Sequence, residues 1–386
     1  MGTLPRRNKS VDARMTPTAT GQFSAILPAD AQRILIILPS WVGDACMATP
    51  LLRHLATTHP HARIVAFGKD HLRSLMDGLP WVHDFYAGSM RRSSMIAELR
   101  RIRAEHFDAV LLLPNSSRSG IFARLTGIAH RAGISRPQDF RGWLLTHRFA
   151  NAQSLQDEVA KYAALASWWT GTPLTSRTVE LHTTEDERTQ AQQLLHDLPA
   201  TRADAPCDLI LLNPGANRLD KQWPAHSFAQ AARKISLARA AGEAPRPIAV
   251  TGGPNEHALC AEVAKQSGGI DLVARGINLG SLKAVLQRTA LLITNDTGPR
   301  HIAAAFATPT IALFGPTDCR KTPMDYPNER RLIAEPFLPE DQIADDIARA
   351  RAGLCAMDRI CVGDVVHAAH ALDASQSTHN SSRISA

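Results

Sequence analysis

No run of eighteen consecutive apolar residues occurs in this 386-residue chain, so no segment reads as a membrane span. The six cysteines, Cys46, Cys207, Cys260, Cys319, Cys355 and Cys361, include no CxxC pair, which argues against a zinc ribbon and against a disulfide framework. Cys355 and Cys361 lie closest together, and without a nearby His or a further Cys they make a poor metal site. This usage fits a reducing cytoplasm. Also missing are a GxGxxG dinucleotide fingerprint, a P-loop and a nucleophile elbow. No Asp-x-Asp triplet occurs, so the usual acidic clamp for a divalent ion on a nucleotide sugar is absent. Aromatic residues make up only 5% of the chain and do not interleave with its basic residues, as a nucleic-acid stacking platform would require.

Lysine is missing from one long stretch: residues 91 to 148 hold eleven arginines and four carboxylates. Arginine is the better fork for phosphate or carboxylate, and the formal net charge of +7 points the same way, towards acidic partners. The first 31 residues carry Arg6, Arg7 and Lys9 but lack the apolar region of a signal peptide.

The length suits two domains. Short apolar runs at 33–38, 64–67, 81–85 and 109–113 alternate with amphipathic helical patterns at 44–57, 70–76, 90–105 and 119–125. After a helical bridge over 154–169 the alternation restarts, with strands expected at 208–212, 247–251, 272–274, 290–294 and 310–314. Such alternation is the signature of α/β domains with parallel sheets, in which ligands sit at the carboxyl ends of the strands. The expected divisions are a disordered extension over 1–31, domains over 32–175 and 176–372, and a disordered tail over 373–386.

Four polar segments fall at expected strand ends. Ser40-Trp41-Val42-Gly43-Asp44 follows the first strand; Gly43 permits close backbone approach, and Asp44 reads either as a helix N-cap or as a general base. In Asn213 to Pro224, Gly215 and Asn217 offer backbone or amide donors, while Arg218 and Lys221 bring cations suited to a diphosphate. Glu256, in Gly252-Gly253-Pro254-Asn255-Glu256, can accept from ribose hydroxyls or simply favour a helix N-terminus. The fourth, Asn295-Asp296-Thr297-Gly298-Pro299-Arg300-His301, joins a buried strand to a helix and offers an anion the N–H groups and dipole of a helix start. Asp296 and His301 flank those donors within reach of sugar hydroxyls.

Taken in order, SWVGD (40–44), LPNSSRS (113–119), NPGANRLDKQWP (213–224), GGPNE (252–256) and NDTGPRHIAAA (295–305) resemble glycosyltransferase family 9, the ADP-heptose:lipopolysaccharide heptosyltransferases. LPNSSRS, GIAHRAGISR (127–136) and CAMDRICVGDV (355–365) are most similar to the heptosyltransferase II branch. The resemblance implies a GT-B architecture, two Rossmann-like domains facing across a cleft, with acceptor bound by the first and nucleotide sugar by the second. It implies metal-independent, inverting transfer of heptose from ADP-heptose, without a cofactor, to the inner core of lipopolysaccharide at the cytoplasmic face of the inner membrane. Asp44 matches the family's catalytic base and Lys221 its diphosphate lysine; Asp296, Thr297, Gly298 and His301 match the donor loop, which Gly215, Asn217 and Glu256 would complete. Gly43, Asn115 and Arg118 are the acceptor-side candidates. Ala216 and Asn217 replace hydroxyl residues of other members, and Cys319 stands where proline or serine is more usual. A nucleotide-sugar epimerase of the same plan, a transferase of another sugar and a non-catalytic sugar-nucleotide binding module are the alternatives.

Overall fold

The computed structural model describes residues 25–135, 140–150, 157–198, 207–239, 242–324, 326–334 and 356–384. The chain divides into two compact units, one ending at Thr178 and one beginning at Val179, slightly beyond the expected boundary.

In the first unit, strands β1 (Arg33–Ile37), β2 (Arg63–Gly68), β3 (Asp84–Ala87), β4 (Ala109–Leu112), β5 (His130–Ile134) and β6 (His147–Phe149) form one parallel sheet in the order β3-β2-β1-β4-β5-β6. The central runs Ile34 to Ile37 and Ala109 to Leu112 are wholly buried. This is why they are continuously apolar rather than alternating: a parallel sheet with helices on its faces offers neither side of a central strand to water. In the second unit, β7 (Cys207–Asn213), β8 (Ile248–Val250), β9 (Ile270–Asp271), β10 (Thr289–Asn295), β11 (Thr310–Phe314) and β12 (Glu329–Ile333) are ordered β12-β11-β10-β7-β8-β9. Counted from its own first strand, each sheet has the order 3-2-1-4-5-6 of the doubly wound nucleotide-binding fold. The direction of winding reverses between β1 and β4, and again between β7 and β10. Ile37 pairs with Leu112 and Thr294 with Asn213, so the loops leaving these strand pairs emerge side by side.

Three strands escape the hydrophobic pattern. β5 (HRAGI), β6 (HRF) and β12 (ERRLI) are mostly half-exposed, and β6 and β12 are edge strands whose polar side chains disguise them. The helix Glu185–Leu194 is also too polar to read by periodicity; a capping box between Thr184 and Glu187 sets its start. β9 lies just before the strand expected at 272–274. The helix expected over 44–57 is two, Val42–Met47 and Thr49–Thr58, because Pro50 lacks an N–H and sits in the first turn of the second. The hydroxyl of Thr49 donates to the Cys46 carbonyl at 2.8 Å.

Of the two expected ends, residues 1–24, 385 and 386 lie outside the described residues, and the described parts depart from the expectation. Within 1–31, the described part is packed: the N–H groups of Ile26 and Leu27 both donate to the Trp169 carbonyl, and Leu27 is buried. At the other end, the helix Val362–Ile384 runs through most of the expected tail. Asp373 accepts from the nearly buried Arg246 at 3.0 Å, an ion pair that holds the helix beyond Leu372. Among the described residues no helix is long and apolar enough to cross a membrane.

Candidate functional site

In the second unit the candidate residues gather where β7 and β10 end. Asn295, the last residue of β10, is fully buried and works as a clasp. Its amide nitrogen donates to the carbonyls of Pro214 at 2.8 Å and Gly215 at 3.3 Å, and its amide oxygen accepts from the Trp223 N–H at 3.1 Å. Asn213, at the end of β7, returns the link by donating to the hydroxyls of Thr294 and Thr297, both at 2.9 Å. The two strand ends therefore hold each other's loops in place. Trp223 is buried, donates its indole N–H to the Ile360 carbonyl at 3.0 Å, and fixes the end of the 213–224 segment rather than offering a stacking face.

On this frame Lys221 stands 3.8 Å from the Asp296 carboxylate. Asp296 also accepts from Arg300 at 3.3 Å and from the Thr317 hydroxyl at 3.2 Å, so its position is fixed from three sides. Thr297 precedes the helix Gly298–Ala305 without a side-chain cap, and Pro299 occupies the first turn, where its missing N–H removes no intrahelical bond. Uncapped N–H groups at a helix start, with an ammonium nearby, are what a diphosphate requires.

Arg300 does not face a ligand. It is wholly buried, forks onto Glu329 at 2.6 and 3.2 Å, donates to the Thr322 carbonyl at 2.9 Å, and lies 4.9 Å from the centroid of the Phe314 ring. Burial opposes its charge, but Glu329 and Asp296 outweigh that and hold its pKa above the ordinary arginine value. Next to it, burial and the Arg300 charge push His301 down to about 3. His301 is therefore a neutral imidazole at physiological pH, 3.2 Å from the Met324 sulfur.

Gly215 is buried, and its role is steric: a Cβ there would fall 2.0 Å from the Glu256 carboxylate. Glu256 folds back to accept from the Gly253 N–H at 2.6 Å, which brings its carboxylate against the same loop. Asn217 is exposed two residues farther on. Arg218, expected to share the cationic role of Lys221, is paired instead: it donates to Asp220, whose side chain is fully buried.

In the first unit Asp44 and Gly43 lie in the short helix Val42–Met47 that follows β1. The capping alternative for Asp44 is excluded, since the N-cap is Trp41, exposed and without a side-chain cap bond. Asp44 is held mostly out of water, and its pKa rises from 3.8 to about 6; burial is the main cause, the Glu158 charge adds to it, and Lys161 opposes it. Glu158 and Lys161 form a 2.6 Å ion pair on the neighbouring helix Glu158–Thr170. Asn115 and Arg118 are exposed after β4, at the start of the helix Ser117–Thr126, which is capped by the Ser116 hydroxyl. Asp44 and the three acceptor-side candidates thus follow the carboxyl ends of the adjacent central strands β1 and β4.

Sequence reading missed Asn213, Asn295, Arg300, Thr317 and Glu329. Polar residues closing the buried runs of β7 and β10 were the only visible signal; the partners of Arg300 lie 22 and 29 residues away. Cys361 is exposed, and Cys355 lies outside the described residues.

The sequence profile of glycosyltransferase family 9 (heptosyltransferase) matches residues 95–338. Lipopolysaccharide heptosyltransferase 2 of Escherichia coli K12 is 26% identical over 309 residues, covering 75% of this chain and 85% of that protein. The protein of the same name from Salmonella typhimurium is 28% identical over the same shares. Among solved structures, E. coli ADP-heptose lipopolysaccharide heptosyltransferase II superposes with a TM-score of 0.71 at 23% identity, over 90% of this chain and 100% of that one. A glycosyltransferase family 9 structure from Veillonella parvula gives a TM-score of 0.74 at 22% identity, over 90% and 99% of the two chains. The last two likenesses establish the shared fold.

Proposed function

The chain belongs to glycosyltransferase family 9, and on that premise we propose that it moves a heptose from ADP-heptose to the inner core of lipopolysaccharide, as a heptosyltransferase of type II. The observation that carries this reading is the second unit's strand-end cluster. There Lys221 stands 3.8 Å from Asp296, beside an uncapped helix start, at the point where the winding of a nucleotide-binding sheet reverses.

The reaction is a single displacement. An acceptor hydroxyl oxygen attacks the anomeric carbon as the bond from that carbon to the diphosphate oxygen breaks, which inverts the configuration. ADP leaves with the bonding electron pair, and its growing charge is met by the Lys221 ammonium and the N–H groups around Gly298. Asp44 takes the hydroxyl proton. A carboxylate raised to about 6 is a stronger base than an ordinary one and is still mostly ionised at neutral pH. Gly215, Asn217, Glu256, Thr297 and His301 serve the donor, with His301 restricted to neutral hydrogen-bonding. Gly43, Asn115 and Arg118 serve the acceptor. Lysine and helix start do here what a metal does elsewhere, so transfer proceeds without one, and the enzyme works at the cytoplasmic face of the inner membrane.

Mass spectrometry of core oligosaccharide from a strain lacking this protein tests the reading. The core should be truncated at an inner heptose and restored by the wild-type gene; an unchanged core would overturn the proposal.

A further inference from the structure

One face of the first unit exposes large apolar side chains among arginines. The helix Ser117–Thr126 turns Ser119, Phe122, Ala123 and Thr126 inward. Its 3.6-residue period therefore leaves Arg118, Ile121, Arg124 and Leu125 outward, and Ile121 and Leu125 are each 41% exposed. On one flank Gly120 lies against the short helix Phe140–Leu144: a Cβ there would meet Leu144 at 3.0 Å and Arg141 at 3.2 Å. That helix buries Arg141 and exposes Phe140 at 67% and Trp143 at 80%. On the other flank Arg118 and Ile121 join Met90, Arg91, Arg92 and Met95 around a groove of about 740 Å³. Groove, outer helix face and aromatic turn are therefore neighbours on one surface.

We propose that this face docks on an anionic phospholipid bilayer, with Phe140 and Trp143 inserted at headgroup level and Arg91, Arg92 and Arg124 over the lipid phosphates. This deepens the membrane placement proposed above by naming the surface. Aromatic side chains among cationic ones are the composition of an interfacial anchor, in which insertion and charge together hold what neither holds alone. Arginine engages phosphate oxygens with two N–H groups at once. The outward residues of this face include Arg91, Arg92, Arg118 and Arg124, so a symmetric pairing with a second copy would set like charge against like.

Co-sedimentation of the full chain with phosphatidylglycerol-containing vesicles, and with phosphatidylcholine vesicles, tests the proposal. We expect binding to the anionic vesicles that weakens as salt is raised and falls at least about tenfold in F140S/W143S. R124Q should lose about fivefold, the equivalent of roughly 1 kcal/mol for one basic residue at an anionic surface. A vesicle-induced blue shift of tryptophan emission should shrink in W143F, a variant that keeps an aromatic ring in place. Turnover on a soluble, deacylated acceptor should be the same in F140S/W143S as in wild type, so failure of docking and failure of the transferase reading are separately visible. Equal binding to both vesicle types, undiminished binding of F140S/W143S, or a dimer that the double substitution dissociates in a chain that ignores vesicles would each overturn the proposal.

Discussion

Asp44 is held in a setting that raises the energy of its ionised form, and this gives it two separable signatures. Its native pKa of about 6 exceeds the ordinary 3.8, so between those values the folded state binds the proton more tightly than the unfolded state does. The resulting stability is present below about pH 4 and is lost as pH rises through about 6. Asp44→Asn, which cannot ionise, should therefore be more stable than wild type at pH 8, by about 3 kcal/mol, and match it near pH 4. The same variant should lose about a hundredfold or more in turnover at saturating donor. In wild type, turnover should rise with pH through about 6 and then level off, since the base must be ionised. Thermal melts and a pH–rate profile check both signatures; a variant that is stabilised yet fully active would remove Asp44 from the chemistry. His301 contributes no limb to that profile, because burial and Arg300 keep it neutral across the range.

The donor turn is an element whose shape depends on two buried side chains that no ligand needs to touch. Asn295 satisfies the Pro214 and Gly215 carbonyls and the Trp223 N–H together. Asn295→Ala orphans all three and should destabilise the second unit by about 3 kcal/mol, read as a shift of the denaturant midpoint. Asn295→Asp should be no better, because a carboxylate would face two carbonyl oxygens. Arg300→Ala leaves the buried Glu329 with Arg331 as its remaining partner and should cost about 3 kcal/mol. It should also weaken ADP binding, measured by calorimetry, since Asp296 loses one of its three anchors. Intact stability with Arg300→Ala would mean the fork is dispensable. The turn itself was legible in the sequence because an apolar run, a polar Gly-Pro punctuation and a second apolar run mark strand, turn and helix in that order. The clasp was not: the same Asn reads as turn former or ligand donor, and only the pairing of β10 with β7 sets its amide against Pro214. Arg300 was illegible for a related reason, since Glu329 lies in ERRLI, a strand too charged to be read as one.

At the scale of the whole molecule, two sheets with the same 3-2-1-4-5-6 order repeat one nucleotide-binding plan within a single chain. Alternating apolar runs make the central strands readable because parallel strands covered on both faces must be continuously apolar; the edge strands β6 and β12 escape because their exposed positions tolerate charge. Residues 26, 27 and 373 fall inside the packed units because of partners visible only in three dimensions, namely Trp169 for Ile26 and Leu27 and Arg246 for Asp373. On the proposed reaction, donor held at the Lys221–Asp296 cluster is turned over only when an acceptor hydroxyl is present to attack it. Purified protein incubated with ADP-heptose and EDTA, with and without an isolated inner-core acceptor, tests this most directly. ADP should be released only when acceptor is present, matched by one heptose gained per acceptor in the mass spectrum. Isomerised nucleotide sugar in the acceptor-free reaction, or donor bound and never turned over with any inner-core acceptor, would contradict it.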